Sequence, residues 1–373
     1  MQDKELRVLM TADAMGGVWT YAIELIKAWA PYNIQVALAT MGNYPNKNHR
    51  EQVANLPQVT LYESNFKLEW MDNPWADVEA AGEWLLQIAV EFKPDLIHLN
   101  NFCHGHLNWG VPVVMVVHSC VGSWFKAVKG NVAPTSWIDY HKAVALGLQA
   151  ADLVVAPTQA MLQEAQNLYG PFNQSQVIYN GHHPGKFKVS IKEPLIFSVG
   201  RIWDEAKNIQ MLTQISAELP WPVYIAGDAR HPVSGKMQDL PNIHFLGTLP
   251  ENEIIDYLSR AAIFVLPVKY EPFGLAILEA ALSGCALVVG DIPSQREIWG
   301  AAATYVNPHN PEDLQVALRT LTENENIRNL LGVRARQRGQ QFNIKQTASE
   351  YLNAYKALLG LTTPAKLKEK MLI

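Results

Sequence analysis

Ile263-Phe264-Val265-Leu266-Pro267-Val268-Lys269-Tyr270-Glu271-Pro272-Phe273-Gly274-Leu275-Ala276-Ile277-Leu278-Glu279 spells out one strand, one turn and one helix. Ile263–Leu266 is a short apolar run rich in β-branched and aromatic residues, the composition of a buried strand. Pro272 and Gly274 punctuate the turn. Leu275, Ile277, Leu278 and Leu282 then restart the apolar pattern over a predicted helix, Leu275–Ser283. A strand with no polar alternation fits a parallel sheet covered on both faces. Two carboxylates stand out: Glu271 after the strand, and Glu279 eight residues on, inside the helix. A carboxylate on so apolar a helix is costly to bury unless it is paired. A ligand diol would supply two donors to it.

The same unit repeats in both directions. Towards the N-terminus the predicted strands are Val8–Ala12, Gln35–Thr40, Val59–Tyr62, Leu96–Leu99, Val113–Val117, Leu153–Ala156 and Val177–Tyr179. Beyond residue 190 they are Leu195–Val199, Val223–Ala226, His244–Leu246, Ile263–Leu266, Ala286–Val289 and Thr304–Val306. Helical patterns lie between them, among them Val18–Ala30, Trp75–Phe92, Asn208–Glu218, Glu251–Ala261 and Pro311–Leu321. This alternation predicts an α/β protein with parallel, doubly wound sheets. It breaks at Tyr179-Asn180-Gly181-His182-His183-Pro184-Gly185, a turn-rich segment read as an interdomain linker with both histidines at its surface. After about residue 310 only helices are expected, the last from Lys345 to Leu359 and ended by Gly360. The expected units are residues 1–182, residues 183–343 and a tail, 344–373.

A chain of 373 residues is long enough for about two such domains. Its 49% hydrophobic and 17% charged content excludes a disordered protein. A net charge of -5 argues against bulk electrostatic binding of nucleic acid. The charge is uneven: residues 1–185 carry 16 acidic and 10 basic side chains, residues 186–373 carry 19 and 20. Eight of the 11 tryptophans also fall in the first part, so the two parts are expected to do different jobs. Three scattered cysteines suggest a reducing compartment and no structural zinc. No signal peptide or membrane-length apolar run is read, so a soluble, cytoplasmic protein is expected.

In doubly wound sheets, ligands gather at the C-terminal ends of strands, where helix N-termini point. Three turns sit there. Gly16-Gly17, after the first strand, lets the backbone approach an anion; a plain strand-to-helix turn has the same look. The dinucleotide Gly-x-Gly-x-x-Gly fingerprint is absent, which argues against a nicotinamide dehydrogenase. Arg201 follows the strand that opens the second part, and Lys207 follows six residues later. Together they suit a diphosphate, although each alone could be a solvated surface cation. The third turn is Glu271-Pro272-Phe273-Gly274.

Glu271-Pro-Phe-Gly-x4-Glu279 resembles the E-x7-E motif of retaining glycosyltransferases of family 4, which have the GT-B fold. Gly16-Gly17, His118 at the end of the Val113–Val117 strand, Asn180-Gly181, the Arg201/Lys207 pair, and turns at Gly227 and Gly247 fall in the family's order. The match spans most of the chain, and Tyr351 fits the family's tail, which crosses back onto the first domain. The resemblance implies two facing Rossmann-like domains with the acceptor on the first and a nucleotide-sugar donor on the second. It implies that Arg201 and Lys207 hold the donor pyrophosphate, approached also by the Gly17 backbone. Glu279 would accept from ribose hydroxyls and Glu271 from hydroxyls of the transferred sugar. His118 would contact that sugar, Phe273 and Gly274 would offer it backbone N–H groups, and Leu275 would belong to the same donor-binding turn. Gly284-Cys285-Ala286 departs from the family's Gly-x-Pro, and Asp204-Glu205 sets two acids between the cations. Asp291–Glu297 resembles a donor-side loop.

No Asp-x-Asp occurs, so fixed cations are expected to do what a divalent ion does elsewhere, with no metal and no other cofactor. The resemblance implies retention at the anomeric carbon. No carboxylate nucleophile is evident, so front-face substitution is expected. His104-x-His106 lacks a third ligand, Cys120 is not expected to be activated, and Lys366, Lys368 and Lys370 are read as solvated. Trp70, Trp75, Trp109, Trp124 and Trp137, in or beside loops, could stack on sugar rings or serve the core. The acceptor is expected to be a carbohydrate or a lipid-linked molecule, with at most peripheral membrane contact. Two rival readings are a sugar-nucleotide epimerase of the same architecture and a non-catalytic nucleotide-sugar sensor. Release of nucleoside diphosphate only in the presence of an acceptor discriminates transfer from both.

Overall fold

A computed structural model describes residues 5–14, 16–230 and 235–361. Thirteen strands form two all-parallel sheets among these residues. The first holds β1 (Leu6–Asp13), β2 (Ile34–Met41), β3 (Val59–Glu63), β4 (Leu96–Leu99), β5 (Val113–Val116), β6 (Leu153–Ala156) and β7 (Ser175–Val177). Their spatial order is β3-β2-β1-β4-β5-β6-β7. The second holds β8 (Glu193–Val199), β9 (Val223–Ala226), β10 (His244–Phe245), β11 (Ala261–Leu266), β12 (Ala286–Gly290) and β13 (Thr304–Val306), in the order β10-β9-β8-β11-β12-β13. Each is a doubly wound sheet whose strand order reverses beside its first strand, the place where such folds bind ligands.

The strands β5, β6, β11 and β12 are apolar throughout, and β4 is apolar apart from His98, because helices cover both faces. Every residue of β4, β5, β6, β11 and β12 is buried. All thirteen expected strands are present. The edge strand β7 lies two residues earlier than expected, at Ser175–Val177, because it pairs with β6 through Ser175 and Gln176. Ile178 and Tyr179 already belong to the crossing. The helix expected over Asn208–Glu218 is shorter, Gln210–Ile215 with a 3-10 turn at Ser216–Glu218. Asn208 stands outside it at φ +58 and donates its amide to the carbonyls of Pro267 and Pro308.

The chain crosses between the two sheets twice, and the crossings pair with each other. The His182 amide donates to the Phe342 carbonyl at 3.1 Å and the Ile344 amide to the His182 carbonyl at 3.2 Å. This overturns the expectation of a surface segment for His182, whose side chain is fully buried; His183 is exposed. Gly181 is what lets the crossings touch, since a Cβ there would stand 2.7 Å from Asn343 C and Ile344 N. After the second crossing, the helix Ile344–Leu358 lies on the helix Gly17–Ala28 of the first sheet. Ala348, Tyr351, Leu352 and Tyr355 join that core, and Trp29 Nε1 donates to the Ala348 carbonyl. Gly360 follows at φ +66. Lys366, Lys368 and Lys370 lie outside the described residues.

Gly181→Ala should therefore lower stability by about 1–3 kcal/mol, the usual cost of overpacking against backbone. Thermal unfolding measures it. An unchanged melting temperature would show that the crossings part without cost.

Candidate active site

The C-terminal ends of β1, β4 and β5 face those of β8 and β11 across a cleft. On the first side, Gly16 adopts φ 80, ψ -151 and precedes the helix Gly17–Ala28, with no side chain capping its first turn. Those free N–H groups suit an anion. A Cβ on Gly17 would meet nothing within 4 Å, so this turn opens into free space. One on Gly16 would stand 4.0 Å from Arg201 Nη1, which brings the first and second expected turns together.

His118 follows β5 as expected. Its Nε2 lies 2.7 Å from Asn100 Oδ1. Asn100 Nδ2 donates to the Thr11 carbonyl at 2.7 Å, which orients the amide with its oxygen towards the ring. His118 therefore carries its proton on Nε2, assigned from the network, and leaves the Nδ1 lone pair to accept. Its ring meets Tyr21 edge-on at 4.6 Å. Burial lowers the pKa of His118 to about 3, so the ring is neutral.

On the second side, Arg201 Nη2 donates to Asp204 Oδ2 at 2.8 Å, while half of its side chain remains exposed. Lys207 Nζ contacts Glu271 Oε2 at 2.5 Å with both side chains mostly out of water. The two acids between the cations have separate tasks. Asp204 is buried and holds Arg201; exposed Glu205 reaches across the cleft to Lys129, 2.6 Å away. Trp124 Nε1 also donates to Asp204, from the helix Val121–Lys129.

The Glu271–Gly274 turn is fixed from below. Gln295, fully buried, donates to the carbonyls of Glu271 and Phe273, and Ser294 Oγ donates to Glu271. Trp299 Nε1 in turn donates to Gln295 Oε1. Gly274 sits at φ +95, and a Cβ there would lie 2.9 Å from Ile277 Cδ1. It opens the helix Leu275–Leu282 without a side-chain cap, leaving N–H groups directed at the cleft. Phe273 is buried and packs edge-on against Phe342. Glu279 projects from the middle of that helix, its side chain 19% exposed, and its Oε1 lies 2.9 Å from His182 Nε2. The structure thus brings Gly16, His118, Arg201, Lys207, Glu271, Gly274 and Glu279 to one cleft.

A second set of contacts holds the cleft closed along one side. The Glu297 carboxylate accepts from the amides of Gln159 and Ala160, which open the helix Gln159–Tyr169 ahead of the Met161 amide that Thr158 caps, and from Tyr179 OH. Thr158 Oγ1 donates to the Pro272 carbonyl, and Ser123 Oγ shares a hydrogen bond with Tyr270 OH. Asn100 and Tyr21 carry no sign in the sequence, and Ser294 and Gln295 stand in the 291–297 loop with nothing local to show that they hold the Glu271 turn. Glu297 stood inside the quoted 291–297 loop, but no local pattern names its partner.

Other candidates resolve as architecture. His104 receives Asn101 Nδ2 at Nδ1 and contacts the Val78 carbonyl through Nε2. Cys120 caps the helix Val121–Lys129 through its sulfur. Trp124 lies within that helix, Trp109 donates to the His104 carbonyl, and Trp70 and Trp75 are exposed. Among the described residues, no group of three or more His, Cys, Asp or Glu side chains could hold a metal ion, and no helix is long and apolar enough to cross a membrane.

Comparison with known proteins agrees with this geometry. A model described as "Glycosyltransferase Family 4" matches residues 15–185, and one described as "Glycosyl transferases group 1" matches residues 183–338. Among curated relatives, a sulfoquinovosyl transferase of Arabidopsis thaliana is 25% identical over 301 residues, covering 71% of this chain and 57% of that protein. The chain therefore spans little more than half the length of that relative. Among solved structures, sucrose-phosphate synthase from Thermosynechococcus elongatus superposes with a TM-score of 0.79 at 17% identity, covering 96% of this chain and 100% of that one. Anabaena HepE in complex with UDP-glucose gives 0.72 at 19% identity, covering 94% and 100%. These two likenesses establish the two-domain fold.

The neutral histidines give a pH signature. His98, buried beneath the cleft against Tyr21 and Tyr355, is also lowered to about 3 by burial. Unfolded histidine binds its proton near pH 6.5, so below that the unfolded chain holds more protons. Stability contributed by these rings is complete above about pH 6.5 and is lost as pH falls towards 3. Denaturant unfolding at pH 7 and pH 5 should show a shallower decline in His118→Asn, by up to roughly 1 kcal/mol per pH unit. An identical slope in the variant contradicts a neutral His118.

Proposed function

We propose that this chain, which belongs to the glycosyltransferases of family 4 and group 1, moves a hexose with retention from a UDP- or GDP-linked donor to a hydroxyl of a carbohydrate or other acceptor. The observation that carries the reading is the meeting of the Gly16-Gly17 turn with Arg201 over the Lys207–Glu271 pair. Two helix N-termini and two cations converge where a diphosphate would lie, with carboxylates beside them to take hydroxyls.

The reaction then runs as follows. The acceptor oxygen bonds to the anomeric carbon on the face that the diphosphate leaves. The bond from that carbon to the phosphate oxygen breaks, and the acceptor proton passes to a phosphate oxygen. Negative charge grows on the leaving diphosphate, where Arg201, Lys207 and the Gly17 helix stabilise it more than in the ground state. Lys207 is already oriented by Glu271, and Arg201 by Asp204. Neutral His118 presents Nδ1 as an acceptor for a sugar hydroxyl, and Glu271 offers its second oxygen. Positive charge from these side chains supports transfer without a divalent metal.

A panel of UDP- and GDP-hexoses, scored for nucleoside diphosphate release with and without acceptor and EDTA, tests this. Release that needs acceptor and ignores EDTA is expected, with the anomeric configuration of the product retained by NMR. Abolition by EDTA or inversion would overturn the respective part. Lys207→Ala should lower kcat at saturating donor by about 10²–10³-fold, the scale for losing one fixed electrostatic contact. A near-normal rate contradicts its role.

A further inference from the structure

His182 has no part in the reaction described above, yet its side chain enters the site from the interdomain crossing. The ring is fully buried and meets Phe187 edge-on at 5.3 Å. Its Nε2 lies 2.9 Å from Glu279 Oε1, without the alignment of a hydrogen bond, and Nδ1 has no hydrogen-bond partner. A buried imidazole in that state is expensive unless a polar group engages it. The backbone on either side is fixed by the paired crossings at Phe342 and Ile344. Glu24 of the first domain and Lys186 of the crossing lie within electrostatic reach, Glu24 feeling His182 and Lys186 feeling Glu279. Lys186 contacts Glu251 at 2.7 Å and Glu24 at 3.9 Å. The imidazole is therefore held by the part of the chain that sets the angle between the sheets, and it faces a carboxylate of the donor domain.

We propose that His182 is a positioning residue for Glu279. A small turn of the ring aligns Nε2–H with Oε1, which fixes the rotamer of the carboxylate and leaves Oε2 and the second lone pair of Oε1 to a nucleotide diol. Because His182 rides on the crossing, Glu279 is correctly aimed only when the two sheets hold this relative arrangement. The inference rests on the reading of Glu279 as the ribose acceptor.

The test uses the full chain and measures binding of uridine and guanosine diphosphates against their 2′,3′-dideoxy counterparts by calorimetry. His182→Gln can place an amide N–H near the position of Nε2; His182→Met fills the space without a donor. Met is expected to bind the ribonucleotide about tenfold more weakly, as for a lost hydrogen bond to a charged group, and to stop distinguishing the two sugars. Gln should restore both. The loss should fall on donor KM more than on kcat, which a general loosening of the fold would not produce. If His182→Met melts too early to assay, His182→Asn replaces it, its shorter amide reaching Nδ1 and not Nε2. Full discrimination in the Met or Asn variant, alongside its loss in Glu279→Gln, overturns the role of His182 alone. Full discrimination in Glu279→Gln overturns both that role and the reading of Glu279.

Discussion

The Lys207–Glu271 pair is the constraint from which the site follows. Lys207 stands in a crevice mostly removed from water, and an unpaired charge there would be costly. Glu271 answers it on the spot, and Asp204 does the same for Arg201. Asp204 is itself satisfied, its other oxygen accepting from the Ala206 amide and Trp124 Nε1, so Arg201 is held without leaving a bare buried charge. Glu271 then needs a rigid turn, which accounts for Gln295 and Ser294 beneath its carbonyl and for glycine at position 274.

Holding the Gly16 turn and neutral His118 against the charges of the second sheet also requires the sheets to face each other at a fixed angle. Three devices do this. The two crossings pair at His182 and Asn343; the helix Ile344–Leu358 returns to the first domain and buries Tyr351 and Tyr355 there; Glu297 takes the first two amides of the helix Gln159–Tyr169. The last of these uses the attraction of a carboxylate to a helix N-terminus as a clasp between domains. Contacts such as Lys129–Glu205 lie in water and add less.

Much of this was legible in the sequence. Parallel sheets announce themselves because a strand buried on both faces cannot alternate, as in Ile263–Leu266 and Ala286–Val289. Residues of the cleft were readable where they lie within a few positions of a strand's C-terminal end: Gly16, His118, Arg201 and Glu271. What escaped depends on pairing at a distance. His182 looked like linker surface because Asn-Gly and Pro-Gly mark turns, while its burial is set by residues 342–344, some 160 positions away in the chain. Gln295 carried no local sign, since its partners are backbone carbonyls of another loop. Asp204 and Glu205 looked alike as neighbours, and only the fold sends one inward to Arg201 and the other across to Lys129.

The central claim is that fixed protein cations, Lys207 foremost, receive the leaving diphosphate. Comparing the binding of a nucleoside diphosphate with that of its monophosphate, in EDTA, tests it most directly. The account predicts that the second phosphate tightens binding by at least about tenfold, the scale of one charge-assisted contact. Equal affinities, or a preference for the diphosphate that emerges only when a divalent metal is added, would contradict it.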